Sequence, residues 1–204
     1  EWMPQRLVVV GWGMSKTRVL MPSHKVLAAE QGYQNIAKFF IGRTDLFVKK
    51  EDPTIKCFAE VVEPMCAAYV STRYGEMLKI LGSGPAIVKH EDKANWRRDM
   101  DALQKLRAEG TIGQVVDFLR STRRPSPPDR VLRREDELKA LDGTPIPEES
   151  SSLQRYSKLR DVPYWEVIEV VKFIEKQTSF ATQHSVKGAE FENVLVVLGG
   201  GWNH

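Results

Sequence analysis

The feature that most constrains the fold is the placement of β-prone residues at the two ends of the chain. Short apolar or β-branched runs lie at Leu7–Val10, Arg18–Met21, Ser179–Thr182 and Val194–Leu198. The last of these is continuously apolar, which is typical of a parallel strand covered on both faces. The pattern predicts α/β structure at both ends of the chain, with a different kind of region between them.

The first end is predicted to be a β-turn-α unit. Arg18–Met21 runs directly into Ser23, a residue type that caps helices, and the helical pattern that follows ends at Gly32. A strand that leads straight into a helix suits a parallel sheet. We place this region at residues 1–45.

Residues 46–176 have the periodicity of α-helices. One apolar stripe recurs with helical spacing at Ile55, Phe58, Ala59, Val62, Met65, Cys66 and Tyr69. Thr111 and Gln114 form a capping box before another amphipathic helix, and a further helical segment is predicted around Arg97 to Ala108. A last helix, which begins near Pro163, is apolar over more than half its circumference and is expected to be well buried. Residues 121–130 and 142–152 are rich in Pro, Ser and charge and are predicted to be loops.

Composition excludes few classes of function. Apolar residues make up 42% of the 204 residues and charged residues 28%, which is ordinary for a globular protein. The net charge of +3 permits binding to an acidic polymer without requiring it. No run approaches the ~18 apolar residues of a membrane span, so we expect a soluble, cytoplasmic protein with no membrane contact.

The cysteines and histidines do not indicate a metal site or a disulfide. Cys57 and Cys66 fall in one predicted helix, roughly 13 Å apart at 1.5 Å per residue, too far for a disulfide. We expect both to be buried apolar fillers. No Cys or His pair has zinc-ligand spacing, so no metal is predicted. Trp96 and Trp165 are expected in the core.

The segment Thr182–Phe191, between two predicted strands, has the residue types of a nucleotide and nucleic-acid site. Thr182 and His184 can donate hydrogen bonds to a nucleic-acid backbone, and Lys187 is a point cation suited to phosphate. Gly188 allows close backbone approach, and Glu190 can accept from ribose hydroxyls. The alternative is a helix-ending turn at Lys187-Gly188 with His184 and Glu190 merely solvated.

This segment resembles the fifth motif of UvrD/Rep-like superfamily 1 DNA helicases, Thr-x-His-x-x-Lys-Gly-x-Glu-Phe followed by an apolar strand. Val186 and Ala189 stand where the family usually has a small residue and leucine. The resemblance implies that Thr182 and His184 contact single-stranded DNA, and that Lys187, Gly188 and Glu190 lie towards the nucleotide. A weaker likeness covers Arg18 to Lys25, which is similar to a strand that enters the same motor domain.

The resemblance implies an α/β fold: a partial RecA-like, P-loop NTPase-like parallel sheet interrupted by a mainly α-helical insertion. Residues 1–45 would begin the second motor domain, residues 46–176 would form the accessory insertion, and residues 177–204 would return to the motor domain. The chain begins at Glu1 and stops soon after three glycines. We therefore expect a piece of a longer protein, completed by a first motor domain.

No Walker A loop is present to hold ATP phosphates. The nearest candidate, Gly11 to Thr17, has Val10 and Ser15 where the two glycines should be. It also fails as a dinucleotide fingerprint, because Lys16 takes the place of the third glycine. We predict that ATP and Mg²⁺ are bound mainly by residues outside this chain, which alone would not hydrolyse ATP.

An arginine cluster lies in and beside the proline-rich loop, at Arg120, Arg123, Arg124, Arg130, Arg133 and Arg134. It could hold duplex DNA through its phosphates, with Arg123 and Arg124 as the candidate contacts. The alternative is a solvated loop partly balanced by Glu135, Asp136 and Glu137.

The resemblance implies an ATP-dependent DNA helicase, 3′-to-5′ in polarity, that acts on single-stranded and duplex DNA in replication, repair or recombination. The competing hypothesis is a DNA-binding or partner-docking module that keeps this fold without ATPase activity. A Rossmann-type oxidoreductase resting on Gly11 and Gly13 is a remote third.

Overall fold

A computed structural model describes residues 13, 16–21, 23–40, 45–82, 87, 89–141, 144–147, 150–182 and 186–197. In this part of the chain the fold is mixed α/β, mostly helical, with a small parallel sheet. No described helix is both long enough and apolar enough to cross a membrane.

The sheet joins the two ends of the chain. Its strands are β1 (Thr17–Met21), β2 (Phe180–Thr182) and β3 (Asn193–Val196), in the order β2-β1-β3 with both pairings parallel. Three of the four predicted strands are therefore confirmed within a residue or two. The prediction that the last strand is covered on both faces is wrong, because Val194 and Val196 are exposed on one face of β3. The fourth prediction, Leu7–Val10, lies outside the described residues.

Three short helices follow β1: α1 (His24–Glu30), α2 (Gln34–Phe39) and α3 (Asp45–Val48). The predicted N-cap is confirmed, since the Ser23 hydroxyl accepts from the Val26 N–H. Gly32 follows α1 with φ +79°, and a Cβ there would lie 3.1 Å from the Trp165 ring. The backbone conformation at the predicted end of α1 therefore favours glycine, and a Cβ would in addition push the Trp165 ring away by a few tenths of an ångström.

The predicted stripe helix is continuous but contains a π-helical turn. Its parts are α4 (Pro53–Cys57), the π-turn (Phe58–Val62) and α5 (Glu63–Val70). Pro64 has no N–H to bond back to Glu60, and its ring crowds that carbonyl, which favours a wider turn just before it. The stripe still packs inward: its members from Ile55 to Cys66 are all buried.

The remaining helices are α6 (Tyr74–Leu81), α7 (His90–Glu109), α8 (Ile112–Thr122), α9 (Asp129–Ala140), α10 (Ser151–Arg160) and α11 (Trp165–Ile174). The capping box at Thr111 is confirmed. α7 begins at His90, earlier than predicted. Its first turns are polar and lack an apolar stripe, so hydrophobic periodicity does not reveal them. The first predicted loop is shorter than expected, since α8 runs to Thr122 and α9 begins at Asp129. The second, residues 142–152, is only partly described, and its predicted end is wrong because α10 begins at Ser151.

The core lies where the stripe helix, α7, α8 and α11 meet, and it confirms one tryptophan prediction and refutes the other. Trp96 is buried, whereas Trp165 is 44% exposed. α11 buries Val167, Val170 and Val171 on its inner side. Trp165 lies outside that stripe, with its ring edge against Gly32.

A buried ionic cluster ties three parts of the helical region together. Glu63, at the start of α5, accepts from Arg107 Nε of α7 at 2.8 Å and from the Tyr164 hydroxyl at 2.9 Å. A second guanidinium nitrogen of Arg107 bonds the other carboxylate oxygen. Both charged side chains are at most 14% exposed. Removal of either charged side chain alone would therefore lower the free energy of unfolding, because it would leave the other charge buried without a partner.

We expect Arg107→Ala to lower the free energy of unfolding by about 3–5 kcal/mol, because Glu63 would stay buried without its cation. Urea unfolding followed by circular dichroism measures this. The matched control is Arg97→Ala on the same helix, whose pair with Asp101 spans 4.0 Å with both side chains exposed and should matter little. Equal losses in the two variants would contradict the role given to the buried pair.

Cys57 and Cys66 are free and buried, as predicted. Burial raises the pKa of each thiol from about 9 to about 12. The thiols thus stay protonated and shielded in the native state, and we expect no reaction with a disulfide reagent at pH 8 until the chain unfolds. Rapid labelling of the native protein would contradict this shielding.

We also expect the free energy of unfolding to fall as the pH rises from 9 to 12, because the two thiols would ionise in the unfolded chain while they stay protonated in the native state.

Candidate nucleic-acid interface

The segment from Thr182 to Phe191 crosses the sheet from one edge to the other. Thr182 ends β2 opposite Met21, the last residue of β1. Asn193 begins β3 opposite Thr17, the first residue of β1. Because all three strands are parallel, the segment leaves the carboxyl edge of the sheet and returns to the amino edge.

The two ends of the segment are therefore well separated. Thr17 and Met21 are four positions apart in β1, which corresponds to about 13 Å along a strand. The sequence predicts a site at the carboxyl edge, where parallel sheets commonly bind ligands. The structure puts Thr182 there, while Phe191 lies against the amino edge, with its ring 5.5 Å from the Arg18 guanidinium.

The middle of the segment is an open turn. Val186 begins a short 3₁₀ turn that the Ala189 N–H closes by donating to the Val186 carbonyl at 3.0 Å. Gly188 has φ +79°, and a Cβ there would meet no described atom within 4 Å. Glycine is thus favoured here for its backbone conformation rather than for close packing.

Four predicted site residues of this segment fall in the described part. Thr182 is buried, whereas Lys187, Gly188 and Glu190 are exposed. Neither Lys187 nor Glu190 makes a hydrogen bond or ion pair with a described residue, so both side chains are available to a ligand. The fifth, His184, lies outside the described residues.

The weaker likeness, from Arg18 to Lys25, places His24 and Lys25 in the first turn of α1. His24 is partly buried and meets the rings of Phe47 and Phe173 edge-on, at centroid distances of 6.5 and 6.2 Å. Lys25 is exposed. The ring contacts favour a packing role for His24.

Half of the arginine cluster is already engaged within the protein. Arg124 pairs with the buried carboxylate of Asp99 at 2.5 Å and lies 5.6 Å from the Trp96 ring centroid. The other two engaged members are Arg120, which pairs with Asp136, and Arg134, which pairs with Asp52 at 2.9 Å and stacks on Tyr156. These guanidinium groups join elements and are poorly placed to reach a phosphate.

The other half is exposed. Arg123 ends α8 in the left-handed conformation, with φ 54°, and Arg130 and Arg133 project from α9. One of the three acidic residues expected to balance the cluster differs from expectation. Glu135 is buried, where it accepts from Tyr156 at 2.6 Å and pairs with Arg160. Of the two DNA contacts predicted in this loop, Arg123 is free to act and Arg124 is committed to Asp99.

In comparisons with known proteins, no protein-family model, no curated protein and no solved structure matches this chain. The resemblance to helicases thus rests on the residues of the motif and on their strand-turn-strand setting.

Arg123 and Arg124 give a matched pair of variants. We expect Arg124→Ala to lower the free energy of unfolding by about 1.5–3 kcal/mol, since the buried Asp99 would keep only its pair with the exposed Arg98, at 3.0 Å. Arg123→Asn should leave stability unchanged, because asparagine tolerates the left-handed conformation. In anisotropy titrations with forked duplex DNA, Arg123→Asn should weaken binding severalfold. A stable Arg124→Ala protein would contradict the structural role of Arg124, and unchanged binding by Arg123→Asn would contradict its contact with DNA.

Proposed function

We propose that this chain is part of an ATP-dependent DNA helicase of the UvrD/Rep-like superfamily 1, with 3′-to-5′ polarity. The observation that carries the proposal is the ten-residue segment Thr182–Phe191, which matches the family's fifth motif and links two strands of a parallel sheet. In such enzymes this segment belongs to the second of two RecA-like motor domains. The helical region between β1 and β2 would be the accessory insertion of that domain.

The nucleotide would meet the middle of the segment. Lys187 and Glu190 are exposed without described partners, and the open turn at Gly188 leaves room for a ligand beside them. Glu190 can accept hydrogen bonds from ribose hydroxyls, and Lys187 can offset phosphate charge. These groups suit the sugar and outer phosphates of ATP. They do not form the backbone cradle that a Walker A loop supplies, so the first motor domain would hold the remaining phosphates and Mg²⁺.

Single-stranded DNA would meet the carboxyl edge of the sheet. Thr182 ends β2 at that edge but is buried, so the DNA contact would fall to His184, two residues later. A histidine at this position can donate to the phosphate and sugar oxygens of one strand without reading its sequence. Duplex DNA would be held by mobile surface cations such as Arg123, for the same electrostatic reason.

The closeness of the predicted contacts in sequence would couple the two ligands. One continuous stretch of ten residues holds the predicted DNA contacts at its start and the predicted nucleotide contacts in its second half. Movement of the turn around Gly188 towards a nucleotide would be passed directly to His184. ATP binding between two motor domains would thereby change the grip on the DNA strand.

The test is binding of a fluorescein-labelled oligothymidylate, followed by anisotropy over a range of salt concentrations. We expect the chain to bind with a salt-dependent affinity, and His184→Ala to weaken binding about tenfold, which corresponds to about 1.4 kcal/mol. The control is His90→Ala, at the exposed start of α7. An oligonucleotide affinity unaffected by His184→Ala, or lowered equally by both variants, would contradict the proposed grip.

The motor itself is tested separately. The encoded protein on both sides of this chain should contain a Walker A loop upstream and an arginine-bearing motif downstream, and the complete protein should hydrolyse ATP when single-stranded DNA is present. DNA binding without any ATP hydrolysis by the complete protein would favour the DNA-binding module instead.

A further inference from the structure

The amino edge of the sheet carries a basic pocket that has no role in the proposed helicase function. It is a cleft of about 420 Å³ between the start of β1, the segment before β2, and Phe191. Three cationic side chains line it, those of Lys16, Arg18 and Lys176, and no described carboxylate does. A cleft of this size accommodates a phosphate group together with the sugar attached to it.

Arg18 is the fixed element of this pocket. Its neighbours in β1, Thr17 and Val19, are buried, so strand alternation directs Arg18 to the opposite face of the sheet. Nη1 donates to the Thr178 carbonyl at 2.7 Å, and the guanidinium carbon lies 5.5 Å from the Phe191 ring centroid. These two contacts hold the guanidinium group in one orientation before any ligand arrives.

Two buried polar atoms at this pocket lack a partner. Among the described residues, neither Arg18 Nε nor Thr178 Oγ1 has a hydrogen-bond partner, although both atoms are shielded from solvent. An unpaired buried donor costs free energy, and in native proteins such a group usually finds water, an ion or a ligand. Both atoms can donate to an oxygen, so an oxyanion that reaches them would supply the missing acceptor.

The two lysines supply charge that is not firmly neutralised. Lys16 lies 3.2 Å from Glu192, but both side chains are at least 60% exposed, so this pair is weak. Lys176 is exposed and forms no ion pair with a described residue. The pocket therefore keeps an excess of positive charge around a preoriented arginine.

We propose that this pocket binds a phosphate group, contributed either by a nucleic-acid backbone or by a free nucleotide or pyrophosphate. Three cations and two hydrogen-bond donors match an anion that has several oxygens and more than one negative charge, whereas a carboxylate offers only two oxygens and one charge. The pocket lies at the opposite edge of the sheet from Thr182. It is thus a second site for an anionic ligand, and it does not depend on the proposed helicase activity.

The experiment measures pyrophosphate binding by isothermal titration calorimetry and oligothymidylate binding by anisotropy, both with the full 204-residue chain. We expect one pyrophosphate per chain, bound about tenfold more weakly by Arg18→Gln and several-fold more weakly by Lys176→Asn. Arg18→Lys should recover part of the affinity, because it restores charge but not the forked geometry. Lys176→Asn preserves the fold, since Lys176 has φ 56° and asparagine adopts that conformation readily.

The charge-matched control is Lys79→Gln, on the exposed side of α6. If the pocket variants weaken both ligands, the phosphate comes from a nucleic-acid backbone; if they weaken pyrophosphate alone, it comes from a free nucleotide or pyrophosphate. Either result supports the pocket. Absence of pyrophosphate binding together with unchanged oligonucleotide affinity in Lys176→Asn overturns the proposal, as does an equal loss in Lys79→Gln. The result with His184→Ala does not bear on this proposal, because that variant tests the carboxyl edge of the sheet and the pocket lies at the amino edge.

Discussion

The pairing of β1 with two strands from the far end of the chain is the contact on which the rest of the structure depends. Arg18 and Thr178, which touch across the sheet, are 160 residues apart. Closing so long a loop carries an entropic cost that grows slowly with its length, and three short strands alone offset little of it. The helical region supplies the rest, because it buries an apolar core and holds the two ends of the loop in place.

Buried carboxylates give that helical region its specific arrangement. Glu63 meets Arg107 and Tyr164, and Glu135 meets Arg160 and Tyr156, so each carboxylate joins its own helix to another part of the helical region. Glu166 of α11 accepts from the backbone N–H groups of Asn35 and Ile36, the second and third residues of α2, at 2.9 and 3.1 Å. It therefore caps a helix that has no capping side chain of its own. A misplaced helix would leave such a carboxylate buried and unpaired, which disfavours alternative packings.

The parallel topology also distributes the candidate chemistry. β2 and β3 flank β1, so the chain between them has to cross the full height of the sheet. A ten-residue motif that is compact in sequence thus reaches both edges, with Thr182 at one and Phe191 at the other. The arginine cluster gives a second example of residues that are close in sequence but differ in their surroundings. Neighbouring residues Arg123 and Arg124 have different surroundings, because only Arg124 reaches the buried carboxylate of Asp99.

The sequence by itself determined the features that depend on near neighbours: the strands at the ends of the chain, the cap at Ser23, the capping box at Thr111, the apolar stripe and the buried cysteines. Each rests on spacing within a few residues, where backbone geometry leaves few alternatives. Only the tertiary structure decided which polar groups are engaged. Trp165 at the surface, Arg124 on Asp99, the cap from Glu166, and the basic pocket of Arg18, Lys176 and Phe191 all depend on residues brought together from distant parts of the chain. Charge and hydropathy in sequence order do not encode such distances, because packing between helices and strand pairing set them.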